Sequence, residues 1–188
     1  CSGTAMNNWY YLLLGHNQTS INNADSYYDC IQVNDNTGAI NNSWPLSPKI
    51  LAALRPNADT AVIDWVRSGG AADFDMIKEV SPDLDATYVQ STVANDRSIY
   101  VMDNASEPAT FRLVGVCLNV VAKRQDAAYI TPIVSRAGTT VELPLIRQAV
   151  GADYMDPLEF FLELDPITGL PWTQADLNLT DFGFKNEL

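Results

Sequence analysis

Apolar residues in this chain come in short runs punctuated by Gly, Pro, Asn and Asp, and the strongest strand signal is the run FRLVGVCLNVVA at residues 111–122. Val114, Val116, Val120 and Val121 are β-branched and favour extended backbone, whereas a helix there would carry Gly115 and several β-branched or aromatic residues at a disadvantage. Apolar side chains on both parities predict a strand covered on both faces at the centre of a sheet. Lys123-Arg124-Gln125-Asp126 interrupts the run and YITPIV at residues 129–134 resumes it, so the two segments are expected to form an antiparallel hairpin.

The same punctuation divides the rest of the chain. Strands are expected over residues 61–66, 76–80, 87–92, 98–102, 140–146, 157–164 and 182–184. The turns between them fall at Ser68-Gly69-Gly70, at the acidic Ser81-Pro82-Asp83-Leu84-Asp85, at Asn95-Asp96, at Ala137-Gly138 and at Asp165-Pro166-Ile167-Thr168-Gly169. Thr173-Gln174-Ala175-Asp176 fits a capping box opening a brief helix, with Leu177 and Leu179 seating it. Upstream, residues 9–14 and 27–33 read as strands, and Ser47-Pro48 reads as the cap and first turn of a helix over residues 48–54. The polar break Arg55-Pro56-Asn57-Ala58-Asp59 ends that helix and marks the best internal boundary. The expected fold is all-β: an antiparallel, jelly-roll-like β-sandwich over residues 54–188 with one or two short helices, preceded by a loop-rich segment over residues 1–53. No internal repeat has a consistent period, which excludes a solenoid or propeller.

Charge narrows the partners. The chain has 23 Asp and Glu against 11 Lys and Arg, a formal charge of −12 and a pI near 4.2. With no basic cluster, nucleic acid and anionic membranes are not expected partners, since phosphate binding needs grouped Lys and Arg. The longest apolar run is also well short of the roughly 20 residues needed to cross a bilayer. Cys1, Cys30 and Cys117 are odd in number and far apart, which is not a disulfide framework. A Cys1–Cys30 bridge is conceivable, but the favoured reading is three reduced thiols with Cys117 as a small core residue.

Several blocks carry a resemblance. Leu54-Arg55-Pro56-Asn57-Ala58-Asp59, then Glu79 with Asp83-Leu84-Asp85-Ala86-Thr87-Tyr88-Val89, and above all the block from Asp165-Pro166-Ile167-Thr168-Gly169-Leu170-Pro171-Trp172 through Thr173-Gln174-Ala175-Asp176-Leu177-Asn178 to Phe182-Gly183 resemble a β-sandwich virion protein of tailed bacteriophages. The blocks keep their order over residues 54–188, and the last is the most specific. The resemblance implies a non-enzymatic structural component of the particle, attached to capsid or tail proteins with the head slightly preferred. It also implies homo-oligomeric assembly in the host bacterial cytoplasm, and it brings no cofactor and no catalytic residue.

Residue chemistry offers few competitors. His16 is the only histidine and has no nucleophile beside it, and its spacing from Cys30 and Cys117 is not that of a zinc site. Asp73 with Asp75, Asp83 with Asp85, and Asp153, Asp156 and Glu159 are pairs or trios of the kind used for calcium or glycoside hydrolysis, but turn-forming carboxylates on an acidic chain are the commoner case, so no metal is expected. Residues 1–53 are rich in Asn, with Trp9, Tyr10, Tyr11, Tyr27, Tyr28 and Trp44 among them, and these six aromatics are the candidate contacts to partner subunits. The alternative function is a glycan-binding, lectin-like jelly-roll module, in which exposed aromatics would stack on sugar.

Overall fold

The computed structural model describes residues 52–79, 81–108, 112–124, 129–154 and 157–187, which belong to one compact unit. The all-β, antiparallel class holds: among the described residues ten strands form three sheets, joined by one short helix and two 3₁₀ turns. In chain order the strands are β1 (Pro56–Ile63), β2 (Val66–Arg67), β3 (Val89–Gln90), β4 (Arg97–Met102), β5 (Val116–Val120), β6 (Tyr129–Arg136), β7 (Thr139–Glu142), β8 (Gln148–Ala149), β9 (Leu158–Leu162) and β10 (Asp181–Glu187). The main sheet runs β1-β4-β10-β6-β7, with β8 also pairing β6, while β2 with β3 and β5 with β9 form separate two-stranded ribbons.

The centre of the main sheet is β6 and β10, not the expected residues 111–122. Ile130, Thr131, Pro132, Ile133 and Val134 are buried without interruption, the pattern of a strand covered on both faces. One edge of β6 is taken by β10 from Tyr129 to Ser135, and the other by β8 at Tyr129–Ile130 and β7 at Ile133–Arg136. Pro132 sits where the second edge passes from β8 to β7. Its carbonyl accepts from Leu143 N (3.0 Å), so its nitrogen faces the same gap and no bond to β10 is lost. With both edges filled, β6 has no room for the expected hairpin with residues 111–122. Only Val116–Val120 of that run is a strand, and it pairs with β9 instead. Leu118 points inward, whereas Cys117 and Asn119 point out, so the expected core thiol is exposed on the outer side of the ribbon. Gly115 and Asn119 give this run less true apolarity than its length suggests.

Sheet and ribbon share one core. Ile130, Val134 and Phe182 of the sheet cluster with Leu118, Phe160 and Leu162 of the ribbon, together with Trp172 and Leu177. Phe160 stacks obliquely on Phe184 and Trp172 on Phe182, each pair with centroids 6.1 Å apart. Gly183 between these phenylalanines is demanded by a close approach: a Cβ there would lie 2.1 Å from Ser98 O and 2.7 Å from Ile99 Cα of β4.

Other boundaries moved for local reasons. The polar break at Arg55–Asp59 is the start of β1, whose ladder to β4 satisfies its backbone, and residues 52–54 of the expected helix have no regular structure. Residues 74–76, where a strand was expected to begin, form a 3₁₀ turn because Asp59 accepts from the amides of Asp73 and Phe74 and curls the chain there. The strand expected over residues 140–146 stops at Glu142, where Pro144 opens the second 3₁₀ turn, and that expected over 87–92 shrinks to β3. Helix α1 (Gln174–Asn178) follows its cap as expected: Thr173 Oγ1 accepts from Asp176 N (3.0 Å). The Asp176 carboxylate reaches the Thr173 hydroxyl (2.6 Å), and only Leu177 seats the helix, since Leu179 is 70% exposed.

Candidate functional site

The turn after β9 is built on a buried clamp between Asp165 and Arg136. Asp165 Oδ1 accepts from Ile167 N (2.9 Å), and Oδ2 from the Thr168 hydroxyl (2.9 Å) and Arg136 Nη2 (2.6 Å), which closes the turn after β9 onto the end of β6. Arg136 Nη1 also donates to Thr180 Oγ1 (3.2 Å). Burial works against the Asp165 carboxylate, but Arg136, the Ile167 amide and the Thr168 hydroxyl overcome it and hold the carboxyl below the usual range. Downstream, Asn178 Oδ1 accepts from Ala105 N (2.7 Å) while Asn178 Nδ2 and Gln174 Nε2 donate to Ala105 O (3.1 and 2.7 Å), tying α1 to the chain after β4. Trp172 Nε1 donates to Leu162 O (3.1 Å). These polar groups hold the fold together; their bonds run within the chain.

Two features face outward. The first is the β5–β9 ribbon, whose strands pair only with each other among the described residues. Phe161 on its outer side is 60% exposed, opposite Cys117, and its ring lies over Gly115, where a Cβ would come 2.7 Å from Phe161 Cζ. The bridge between Leu164 and Pro171 brings Leu170, 64% exposed, alongside the end of β9. Leu164, 38% exposed, and Leu170 are thus two further apolar side chains open to solvent in the turn that follows the ribbon. The Cys117 thiol is pushed up by desolvation and by the charge of Glu159, which keeps it protonated and weakly nucleophilic.

The second is an open cleft of about 480 Å³ where β1 turns into β2, lined by Ile63, Trp65, Val66, Arg67, Gly69, Gly70 and Asp73. Trp65 is fixed at both ends: its amide donates to Ser98 Oγ and its indole Nε1 to Asp96 O, each at 3.2 Å. Arg67 donates from Nη1 to Asp73 Oδ1 (3.0 Å) and from Nε to Gly70 O (3.3 Å). Asp73 is only 1% exposed, and its Oδ2 is buried with no hydrogen-bond partner among the described residues; the Tyr100 hydroxyl shares that condition. Burial first, then the charges of Asp73 and Asp59, push the Tyr100 hydroxyl well above its ordinary value, so it remains a donor. A smaller hollow of about 220 Å³ adjoins at Val66 and includes Gln90, Ser91 and Asp96.

Of the residues singled out by sequence, Trp9, Tyr10, Tyr11, Tyr27, Tyr28 and Trp44 lie outside the described residues, as do His16, Cys1, Cys30 and Asp156, together with the strands expected over 9–14 and 27–33. The carboxylate pairs are drawn apart by separate partners. Asp73 binds Arg67, Asp75 binds Lys78 Nζ (2.6 Å), Asp83 accepts from Thr87 N (2.9 Å) and its hydroxyl (2.8 Å), and Asp85 pairs with Lys123 and Tyr154 Oη (3.1 Å). No group of three or more His, Cys, Asp or Glu is arranged to hold a metal ion among the described residues. Sequence reasoning passed over Trp65, Arg67 and Phe161. The signal for the first two was present, an aromatic and an arginine just before Ser68-Gly69-Gly70, whereas Phe161 was counted only as part of the strand expected over residues 157–164. Compared with known proteins, the chain matches no family model, no curated protein and no solved structure.

Proposed function

We propose that this protein is a non-enzymatic structural component of a tailed phage particle that attaches to capsid or tail proteins, the capsid preferred, and assembles there as a homo-oligomer. In this reading the main sheet and the β5–β9 ribbon are the two layers of a jelly-roll-like β-sandwich. The observation that carries it is the exposed ring of Phe161 on a ribbon that pairs with no further strand among the described residues, with exposed Leu164 and Leu170 in the turn after it. Exposed apolar patches mark contact surfaces, and open strand edges offer backbone donors and acceptors to a neighbouring chain. The clamp at Asp165 and Arg136 supports the same reading, because the most specific block of the resemblance is spent on rigidity.

Co-sedimentation of the protein with particles lacking it tests the proposal. Phe161→Asp should weaken attachment by about tenfold or more, the scale of losing one central aromatic contact, and should leave the thermal midpoint within about 2 °C because the side chain is outside the core. Equal attachment by the variant would remove the ribbon as the contact surface, and failure of the wild-type chain to bind any particle fraction would reject the virion role.

A further inference from the structure

We infer that the cleft at Trp65, Arg67 and Asp73 is a binding site for a neutral saccharide, a function separate from attachment to the particle. Its volume of about 480 Å³ lies within the roughly 300–1,000 Å³ range of small-ligand sites. Its walls combine the groups that recognise a sugar. Trp65 supplies an aromatic surface for the apolar C–H face of a pyranose, and its two hydrogen bonds fix the ring before any ligand arrives. Arg67 is half exposed, and with Nη1 and Nε committed to Asp73 and Gly70, its Nη2 is left to donate to a ligand hydroxyl. Asp73 adds the second observation: a carboxylate 1% exposed on the cleft wall, with Oδ2 unpartnered among the described residues. Oδ2 itself is closed to solvent, so what Asp73 offers a ligand is the Arg67 guanidinium that its Oδ1 anchors in the cleft wall, not a free acceptor.

Charge selects within the sugars. Asp73 lines the cleft, with Asp59 bonded to its amide, and Asp64 and Asp96 line the adjoining hollow, against Arg67 as the one cation on the lining of either, so a phosphate, a uronate or a sialic acid would meet net repulsion. Gly69 has nothing within 4 Å of where a Cβ would stand, which leaves the mouth open to a flat ring and offers a place to close it.

The test uses the full 188-residue chain and the methyl glycosides of glucose, galactose, mannose and N-acetylglucosamine, followed by nitrogen–proton correlation spectra. At least one glycoside should shift the Trp65 indole and the Gly69 and Gly70 amides saturably, with a Kd in the millimolar range. Gly69→Trp should abolish the shifts at unchanged thermal midpoint, since the new ring fills the mouth without touching the core. Arg67→Met should weaken binding about tenfold, the size of one lost charged hydrogen bond. Absence of saturable shifts at these three positions with all four sugars, shifts confined to other residues, or undiminished binding by Gly69→Trp would each overturn the site. A stronger response at the same resonances to inorganic phosphate would overturn the ligand class.

Discussion

Asp165 is the single residue on which the last third of the fold turns. Its carboxylate is 1% exposed and bonded to three groups, and its partner Arg136 reaches it from the end of β6 with a side chain that is itself only 10% exposed. Removing one member of a buried pair costs more than the pair is worth, because the other charge is left desolvated. Asp165→Asn keeps one acceptor oxygen for the Ile167 amide but turns an NH2 group toward Thr168 and Arg136, and leaves Arg136 only the more distant, part-exposed Asp176 carboxylate (3.6 Å), so it should cost about 3 kcal/mol at neutral pH by urea unfolding, at the low end of the range for broken buried pairs. The folded carboxyl titrates below its unfolded value of about 3.9, so its contribution is complete above that value and is lost as pH falls through the folded pKa. The stability gap between wild type and variant should therefore stay level from neutral pH to about pH 4 and close below it; a gap that narrows already near pH 6 would mean that another group carries the effect.

At the scale of elements, the turns and the late strands were legible and the hierarchy of strands was not. Ala137-Gly138, Asp165–Gly169 and the Thr173 cap announce themselves because each depends on a few adjacent residues, and all three stand where the sequence places them. Which strand is central depends on partners distant in the chain. Residues 111–122 look more apolar than β6, yet Thr131 and Pro132 are fully buried in β6 because both its edges and both its faces are covered, something no local pattern encodes. The cleft escaped for the same reason: Trp65 and Asp73 meet only because Asp59 pulls the following turn back onto β1. The β6–β7 hairpin also carries a defect that sequence and structure together expose. Its two-residue turn holds Ala137 at φ 50° and Gly138 at φ 82°, the left-handed pair of a type I′ turn, in which Ala is the wrong residue and Asn the favoured one. Ala137→Asn should relieve that strain and stabilise the protein by about 0.5–1 kcal/mol, a rise of about 1–4 °C in thermal midpoint for a chain of this size. A fall instead would show that the Ala137 methyl makes a contact worth more than the turn.

At the scale of the whole molecule, two parts of the chain compete for the role of anchor: the ribbon at Phe161 and the aromatic-rich sequence of residues 1–53. The described core, including Leu54 packed at its edge, lies within residues 54–188. A chain cut to 54–188 should therefore unfold cooperatively with a midpoint within a few degrees of the full protein. Trp9, Tyr10, Tyr11, Tyr27, Tyr28 and Trp44 go with the removed part, and Trp and Tyr are the side chains that contribute most per contact at interfaces. The truncated chain should accordingly fail to join particles or to self-associate, even with Phe161 intact. Charge separates the kinds of partner surface. With a net charge of −12, attachment through apolar contacts and hydrogen bonds should barely respond between low and physiological salt, whereas attachment to a basic partner surface should weaken steeply as the Debye length falls from about 30 to 8 Å. Because Phe161, Leu164 and Leu170 carry no charge, the ribbon contact belongs to the first case, and weak salt dependence is expected for the full chain. If the truncated protein decorates particles as well as the full chain while Phe161→Asp does not, the ribbon alone is the anchor and the aromatic set upstream serves some other contact.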